Sequence, residues 1–263
     1  MDLGLKGKVA VVAGSSQGLG RAVADALAAE GVDLVINSRS PEKLLAVKSQ
    51  IMKHTGARVE AVPCDLSTAD GPSDLISAAE SAFGQVDILV TNTGGPPPGM
   101  FEDHGPEVWR DAIAQNFESV INLVRAALPG MKERRWGRIV NVTSISVKQP
   151  VAGLILSNAI RAGVTGFAKT VSNEVAPFNV TVNNILPGYT RTERLMQLAD
   201  AISERDGTTV EKVHDGWAAE IPMGRVGEPS EFGGVTAFLC SEQASYLTGQ
   251  SIAVDGGVTK GLI

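Results

Sequence analysis

Short apolar runs alternate with longer amphipathic segments along the whole chain. The first run, Lys8–Ala13, is almost continuously apolar, as expected for a strand buried on both faces. The next segment, Gly20–Glu30, repeats its apolar residues at helical spacing and ends before Gly31, a residue well suited to the position after a helix. The same pattern predicts further strands at Val32–Asn37, Arg58–Cys64, Val86–Thr91, Arg138–Val142, Val180–Ile185 and Ser251–Val254.

Helical patterns fill the intervals between these strands. Ser40 is a favourable N-cap for one of them, with Pro41 in its first turn. Regular alternation predicts an α/β fold, a Rossmann-type doubly wound parallel sheet of about seven strands with helices on both faces, in one domain spanning 1–263. The further helices are predicted at Pro41–His54, Ser73–Phe83, Glu107–Met131, Gly153–Val175 and Glu228–Leu239.

The stretch 191–226 is polar, and we expect it to be loop-like and partly helical. It follows the C-terminal end of a predicted strand, which is where the ligands of such sheets bind. We therefore predict that 191–226 forms a substrate lid within the same domain.

Composition and charge exclude several classes of protein. Hydrophobic residues make up 43% and charged residues 20%, which is typical of a soluble globular domain. A net charge of −6 without a Lys/Arg block argues against a nucleic-acid partner, and the absence of a long apolar run argues against a membrane one. We expect no metal site, because the two cysteines and three histidines are scattered. We expect a cytoplasmic protein, because the N-terminal residues do not form an apolar stretch before a small-residue cleavage site.

The turn after the first strand, Gly14–Gly20, reads GSSQGLG. Glycines allow a tight turn and a close approach of backbone N–H groups to a pyrophosphate, which the dipole of the following helix also attracts. An ordinary glycine-rich turn is the alternative, but the position between a buried strand and an amphipathic helix favours dinucleotide binding. The predicted cofactor contacts are Gly14, Ser16, Gln17, Gly18, Leu19 and Gly20.

The end of the second strand, Asn37-Ser38-Arg39, indicates which dinucleotide binds. A carboxylate there would hold the ribose 2′-hydroxyl of NAD(H) and repel a 2′-phosphate. This chain has no carboxylate at the position, and the guanidinium of Arg39 suits a phosphate. Ser38 and Arg39 therefore favour NADP(H) over NAD(H), with a merely solvated Arg39 as the alternative.

Several short motifs in a fixed order make the chain resemble the classical short-chain dehydrogenases/reductases, especially the 3-oxoacyl-acyl-carrier-protein reductase branch. The resemblance runs nearly end to end and implies a carbonyl or alcohol substrate and a homotetramer or dimer assembled through the 153–175 helix and its predecessor. The matching motifs are AGSSQGLG at 13–20, CDLS at 64–67, NTGG at 92–95, NVTS at 141–144, ILPGYTRT at 185–192 and LTGQSIAVDGG at 247–257.

The resemblance also assigns roles to individual residues. Asn116 matches an asparagine that holds a proton-relay water, and Ser144 matches the serine that bonds the substrate carbonyl. Asp65 would meet the adenine, and Asn92 and Gly94 would line the adenosine ribose. The remaining implied cofactor neighbours are Cys64, Leu66 and Thr93, together with Ile185, Pro187, Gly188, Thr190 and Thr192 on the nicotinamide side.

The central Tyr-x-x-x-Lys motif of that family is broken in this chain. The following AGVTGFAKT and the usual interval from Ser144 place Ser157 at the tyrosine position and Arg161 at the lysine position. The only two tyrosines, Tyr189 and Tyr246, lie outside this helix. An aliphatic hydroxyl is a far weaker acid than a phenol of pKa ~10, so Ser157 is a poor proton donor. Arg161 can hold ribose hydroxyls and supply positive charge, but it cannot shuttle a proton.

Two functions remain open at this point. Loss of acid–base catalysis typically costs ~10²–10⁴-fold, which leaves room for a slow reductase whose proton comes from water, Ser144 or Tyr189. The alternative is a non-catalytic NADP(H)-binding protein or a partner of an active homologue. Elimination or isomerisation has no positive support in the sequence.

Three other side chains carry weaker expectations. We expect Lys169 to be a surface lysine rather than a replacement for the missing one. We expect His104 to be a solvated loop residue, with a position facing a ligand as the alternative. Trp217 lies in the predicted lid, where it either covers the substrate or anchors the lid.

Overall fold

Seven parallel strands form one sheet in the order β3-β2-β1-β4-β5-β6-β7. This computed structural model describes residues 2–262. The strands are β1 Val9–Val12, β2 Asp33–Ser38, β3 Val59–Pro63, β4 Ile88–Thr91, β5 Gly137–Val142, β6 Val180–Pro187 and β7 Ser251–Val254. The predicted doubly wound parallel sheet of about seven strands is confirmed.

Helices cover both faces of this sheet. They are α1 Gly18–Ala29, α2 Pro41–Thr55, α3 Gly71–Phe83, α4 Pro106–Ile113, α5 Ser119–Arg134, α6 Ile155–Val175, α7 Glu193–Asp206, α8 Val210–Glu220 and α9 Pro229–Cys240. The continuous apolar run of β1 follows from this arrangement, because alternate residues enter opposite cores. Val12 packs into the core beneath α1, α2 and α9, whereas Val11 packs into the core beneath α3, α5 and α6.

Strand order reverses between β1 and β4, which opens a crevice at the carboxyl edge of the sheet. The chain leaves β1 and β4 in opposite directions along the sheet, so the turn after β1 and the loop after β4 border this crevice. The segments that follow β5 and β6 begin at the same edge, because all seven strands are parallel and their carboxyl ends lie together. The predicted site residues are concentrated in these four segments.

The single helix predicted for Glu107–Met131 is wrong in detail. A π-helical turn at Ala114–Glu118 separates α4 from α5, and α5 continues to Arg134. Such a turn accommodates an extra residue within a helix and is frequent at functional sites. It carries Asn116, whose side chain is fully buried.

The lid segment 191–226 is more helical than expected. It forms α7 and α8, each with an N-cap threonine, Thr192 and Thr209 respectively. The two helices form because they share a small apolar cluster. Each helix contributes apolar residues four positions apart, which lie on one face of that helix. This cluster contains Leu195, Ala199, Val213, Trp217, Ile221 and Val226.

Candidate functional site

The turn after β1 needs glycine for steric reasons. Gly14 has a left-handed φ of +56°, and a Cβ there would lie 2.3 Å from the carbonyl oxygen of Asn92. A Cβ at Gly20 would lie 2.3 Å from the carbonyl oxygen of Gly14. The Asn92 side chain donates to that same Gly14 oxygen at 3.0 Å and thus fixes the turn against the loop after β4. Side chains at either glycine would push the turn away from the crevice.

The N-terminus of α1 leaves its amides available to a ligand. Its N-cap, Gln17, makes no side-chain capping bond, and the first turn contains no acidic residue. The first N–H groups of a helix have no intrahelical partner, and they attract an anion. Gly18 beside them has a left-handed φ of +58°, and the side chain of Thr192 lies next to it. This geometry fits the pyrophosphate of a dinucleotide.

The end of β2 carries no carboxylate. Arg39 is exposed, and the hydroxyl of Ser38 accepts from the backbone N–H of Ser40 at 3.2 Å. Asn37 turns the other way, since its amide donates to the carbonyl oxygens of Val62 at 3.0 Å and Cys64 at 3.2 Å. Arg39 is therefore the charged side chain exposed at this strand end, where it is accessible to a 2′-phosphate.

The segment after β3 places Asp65 beside the same edge. Its carboxylate accepts from the backbone N–H of Ser67 at 2.9 Å and the hydroxyl of Ser67 at 2.7 Å, and these bonds lower the pKa of Asp65. Cys64 is half-buried, and burial raises the pKa of its thiol. Leu66 is partly buried and packs against the core on the α3 side.

Arg161 is the most tightly held side chain of the site. It is 4% exposed and donates to the carbonyl oxygen of Val142 at 2.9 Å, to that of Gly94, and to Oδ1 of Asn116 at 3.0 Å. These acceptors belong to the end of β5, the loop after β4 and the π-helical turn. The guanidinium thus joins three segments that the fold brings to one point.

The environment of Arg161 is unfavourable for a charge. Burial, and then the neighbouring charge of Arg194, lower the pKa of Arg161 to about 10. Arg194, in the first turn of α7, donates to the carbonyl oxygen of Pro96 at 2.8 Å. Across residues 2–262, neither guanidinium forms an ion pair with a carboxylate.

Three serine hydroxyls lie at the start of α6 and the end of β5. Ser144 accepts from the backbone N–H of Ser146 at 3.1 Å, and the hydroxyls of Ser146 and Ser157 are 3.4 Å apart. Ser157 precedes Arg161 by one helical turn, so both replaced positions face the same region. The hydroxyls can bond a carbonyl oxygen, but none has the acidity of the phenol that Ser157 replaces.

The segment after β6 supplies the lid side of the crevice. Its backbone is attached to β7, because the Gly188 N–H donates to the Val254 carbonyl at 3.0 Å. A Cβ at Gly188 would lie 2.6 Å from that of Asp255, so this passage requires glycine. Pro187 ends β6, and Thr190 is buried beyond it. The nicotinamide side of the cofactor is predicted to lie along these positions.

Tyr189 and Trp217 pack together at the segment that is predicted to be a lid. Their rings stack with centroids 5.3 Å apart, and Trp217 is buried within the apolar cluster of α7 and α8. Burial, and then Glu220, raise the pKa of Tyr189 above that of a free phenol. Of the two roles considered for Trp217, the structure shows the anchoring one.

Two expectations about other side chains have different outcomes. Lys169 is exposed on α6, as predicted. His104 is not simply solvated, because its Nε2 is buried without a hydrogen-bond partner in the part of the chain described. The ring lies against Gly99, which follows Pro96, Pro97 and Pro98 in the loop after β4. The sequence pattern could not show this contact.

Sequence reasoning missed two residues of the site. Ser146 is buried between Ser144 and Ser157, and its only signal is its place just after the NVTS motif. Arg194 lies in the predicted lid, and no local pattern distinguishes it from the other lid arginines.

Within residues 2–262, no group of three His, Cys, Asp or Glu side chains is placed to hold a metal ion. None of the helices in the same range combines the length and the apolar character that a membrane span needs.

Comparison with known proteins agrees with this geometry. A family model described as enoyl-(acyl carrier protein) reductase matches residues 13–259. The NADPH-dependent reductase BacG of Bacillus subtilis is 34% identical over 97% of this chain and 99% of its own length. The 3-oxoacyl-[acyl-carrier-protein] reductase FabG of Aquifex aeolicus is 33% identical over 98% of this chain and 100% of its own.

A solved structure extends the likeness to the whole fold. L-sorbose reductase from Gluconobacter frateurii, complexed with NADPH and L-sorbose, superimposes with a TM-score of 0.95 at 33% identity, covering 100% of both chains. Together with the glycine turn, the ordered motifs and the strand order, these matches mean that the chain belongs to the classical short-chain dehydrogenase/reductase family, in the branch that resembles the 3-oxoacyl-acyl-carrier-protein reductases.

Proposed function

We propose that the protein is an NADP(H)-dependent reductase of a small carbonyl compound, with an atypical active site. The observation that carries the proposal is the crevice between β1 and β4, where Gly14, Gly18 and the free amides of α1 fit a pyrophosphate and Arg39 fits a 2′-phosphate. Relatives named as NADPH-dependent reductases support the choice of cofactor.

The substrate end of the proposal rests on the hydroxyl cluster. When bound, the cofactor supplies or accepts the hydride exchanged with the substrate carbon. Ser144 bonds the substrate oxygen, and the backbone N–H of Ser146 donates to the Ser144 hydroxyl and fixes its position. The hydroxyl of Ser157 contacts that of Ser146. Arg161 orients the ribose side of the crevice and contributes positive charge. The proton comes from a water at the serine cluster, with Tyr189 as the alternative donor.

A second candidate function is non-catalytic binding of NADP(H). It is favoured by the bonding of Arg161 to three carbonyl oxygens, which leaves the guanidinium no role in moving a proton. It is also favoured by Ser157, whose hydroxyl is too weak an acid to replace a phenol. In this case the crevice would sense the cofactor or complement an active homologue.

One experiment separates these functions. NADPH and NADH are titrated into the purified protein by fluorescence, and loss of the reduced-nicotinamide absorbance is then followed with a panel of carbonyl compounds. The double variant Ser157→Tyr/Arg161→Lys is measured in parallel, with Tyr189→Phe as a third arm.

Each outcome has a definite meaning. Tight NADPH binding with slow wild-type turnover supports the reductase, and a further loss in Tyr189→Phe would identify the alternative donor. Tight binding with turnover only in the double variant supports the non-catalytic function. Failure of the wild type to bind either dinucleotide contradicts both. Assembly as a homotetramer or dimer through α6 and its predecessor, and a cytoplasmic location, remain predictions that accompany the proposal.

A further inference from the structure

Two arginines donate hydrogen bonds to backbone carbonyl oxygens of one loop at the carboxyl edge of the sheet. Arg161 donates to the carbonyl oxygen of Gly94, and Arg194 donates to that of Pro96 at 2.8 Å. Between them, a Cβ on Gly95 would lie 2.8 Å from the guanidinium carbon of Arg194. The loop after β4 therefore holds a guanidinium from α6 and one from α7 within the span of three residues.

These two neighbouring cations have no carboxylate partner, whereas most arginines in the described part of the chain do. Eight others form ion pairs with Asp or Glu side chains. The remaining three, Arg39, Arg125 and Arg135, are exposed to solvent. Within residues 2–262, Arg161 and Arg194 donate only to neutral carbonyl and amide oxygens. Two neighbouring cations without an anion are unfavourable, above all where one of them is buried. The arrangement is therefore suited to an anion that arrives with a ligand.

The two side chains differ in accessibility, and this suggests a direction of entry. Arg161 is buried at the base of the site, whereas Arg194 remains solvent-accessible on the lid. Arg161 has five N–H donors, and those at Nε and one at Nη1 meet no protein acceptor among residues 2–262. Donors thus remain for a ligand that passes the lid.

We infer that the substrate carries a carboxylate, which Arg194 binds at the entrance while Arg161 supplies the second positive charge beneath it. The inference rests on the proposed reductase function and narrows its substrate class to small oxo acids. Ser144 bonds the oxo group, and the carboxylate lies on the side of the Gly94–Pro96 loop. A guanidinium matches a carboxylate in both geometry and charge, which makes it selective against a neutral ester of the same shape.

The cofactor is the other source of an anion in this crevice. Its pyrophosphate fits the Gly14–Gly20 turn and the N-terminus of α1, beside Thr192. Arg194 is directed instead to Gly95 and Pro96, in the loop after β4. This placement favours the substrate over the cofactor as the ligand of Arg194.

The test compares acids with neutral analogues at a fixed cofactor level. The wild-type protein, saturated with NADP⁺, is titrated calorimetrically with 2-oxo and 3-oxo acids of four to eight carbons and with their methyl esters. Arg194→Gln is titrated in the same way. The matched control is Arg191→Gln, which removes an exposed lid arginine that is paired with Glu228 at 2.9 Å.

We expect at least one acid to bind the wild type roughly tenfold or more tightly than its ester, because a hydrogen bond to a charged group is lost in the ester. Arg194→Gln should abolish this preference, and Arg191→Gln should keep it. Equal binding of acids and esters, or no binding of either, would overturn the inference. It would also be overturned if Arg194→Gln weakened NADP⁺ binding and left the acid preference intact.

Failure of the proposed function gives a different result. In that case the wild type either binds NADP⁺ without turning over any carbonyl compound, or does not bind NADP⁺, which the first titration shows before any acid is added. Where NADP⁺ does not bind, the acid and ester series is titrated into the cofactor-free protein. Selective binding of the acid, lost in Arg194→Gln, would still support the anion site, and its absence would overturn it.

Discussion

The side chains of Arg161 and Asn116 are joined directly, with 3.0 Å between Nη2 and Oδ1. The oxygen of Asn116 accepts from Arg161 and also from Thr93 at 3.5 Å. The arginine at the predicted lysine position therefore engages a second residue, for which the resemblance predicts a role in holding a proton-relay water. Both side chains are parts of one buried hydrogen-bond network.

The first prediction concerns the stability that this network provides. Arg161→Met leaves the carbonyl oxygens of Val142 and Gly94 and the amide oxygen of Asn116 without their buried donor. Each orphaned acceptor is costly, and removal of a desolvated charge offsets only part of that cost. We expect the free energy of unfolding to fall by about 1–3 kcal/mol, measured by urea denaturation.

A matched control isolates the effect of burial. Arg125→Met removes an exposed arginine of α5 whose one side-chain hydrogen bond among residues 2–262 goes to Asn122, at 3.2 Å. It should change stability by no more than ~0.5 kcal/mol. Equal stability of Arg161→Met and the wild type would mean that the three bonds merely balance the penalty of burying the charge.

The second prediction tests the glycine turn. Gly20→Ala would place a Cβ 2.3 Å from the carbonyl oxygen of Gly14, and this contact can be relieved only by displacing the turn. We expect a loss of about 1–3 kcal/mol in stability and a clear loss of NADPH affinity. Gly234→Ala in α9 is the control, since a Cβ there meets no atom within 4 Å. The control should gain up to ~1 kcal/mol, because alanine favours a helix over glycine.

Features that depend on a local motif could be predicted from the sequence. The need for glycine at position 14 or 20 follows from a local motif, and so does the replacement of tyrosine and lysine by Ser157 and Arg161. The strands were predictable for a similar reason, because burial on both faces leaves a continuous apolar run such as that of β1.

Other features leave no local trace. The π-helical turn around Asn116 adds one residue to a helix without changing its polarity pattern. The contact of Arg194 with Pro96 joins residues 98 positions apart and depends on how the lid folds over the crevice. The apolar spacing of Leu195 and Ala199, and of Val213 and Trp217, was present in the sequence but was outweighed by the polar average of the lid.

The third prediction concerns the choice of cofactor. Arg39→Gln should weaken binding of NADPH by roughly 10–100-fold and leave binding of NADH unchanged, because only the former carries a 2′-phosphate. Affinities are measured by fluorescence at low and at raised salt, and the difference should shrink as salt screens the charge.

Arg58→Gln serves as the control for a general loss of positive charge. Arg58 pairs with Asp33 at the beginning of β2, which is the opposite end of that strand from Arg39. The Arg58→Gln variant should leave the ratio of the NADPH affinity to the NADH affinity as it is in the wild type. A similar fall for NADH and NADPH in Arg39→Gln would contradict the assignment of Arg39 to the 2′-phosphate.

The last prediction uses the two thiols as reporters of cofactor position. Cys240 is fully buried, which raises the pKa of its thiol to about 12, and Cys64 is half-buried with a pKa raised chiefly by burial. Because only the thiolate reacts, iodoacetamide should label Cys64 slowly, at a rate that rises with pH beyond the usual thiol pKa, and should not label folded Cys240. Saturating NADPH should slow the labelling of Cys64 severalfold, since the adenine is predicted to lie against 64–66. Labelling is quantified by mass spectrometry, and a rate at Cys64 that does not respond to bound NADPH would place the adenine elsewhere.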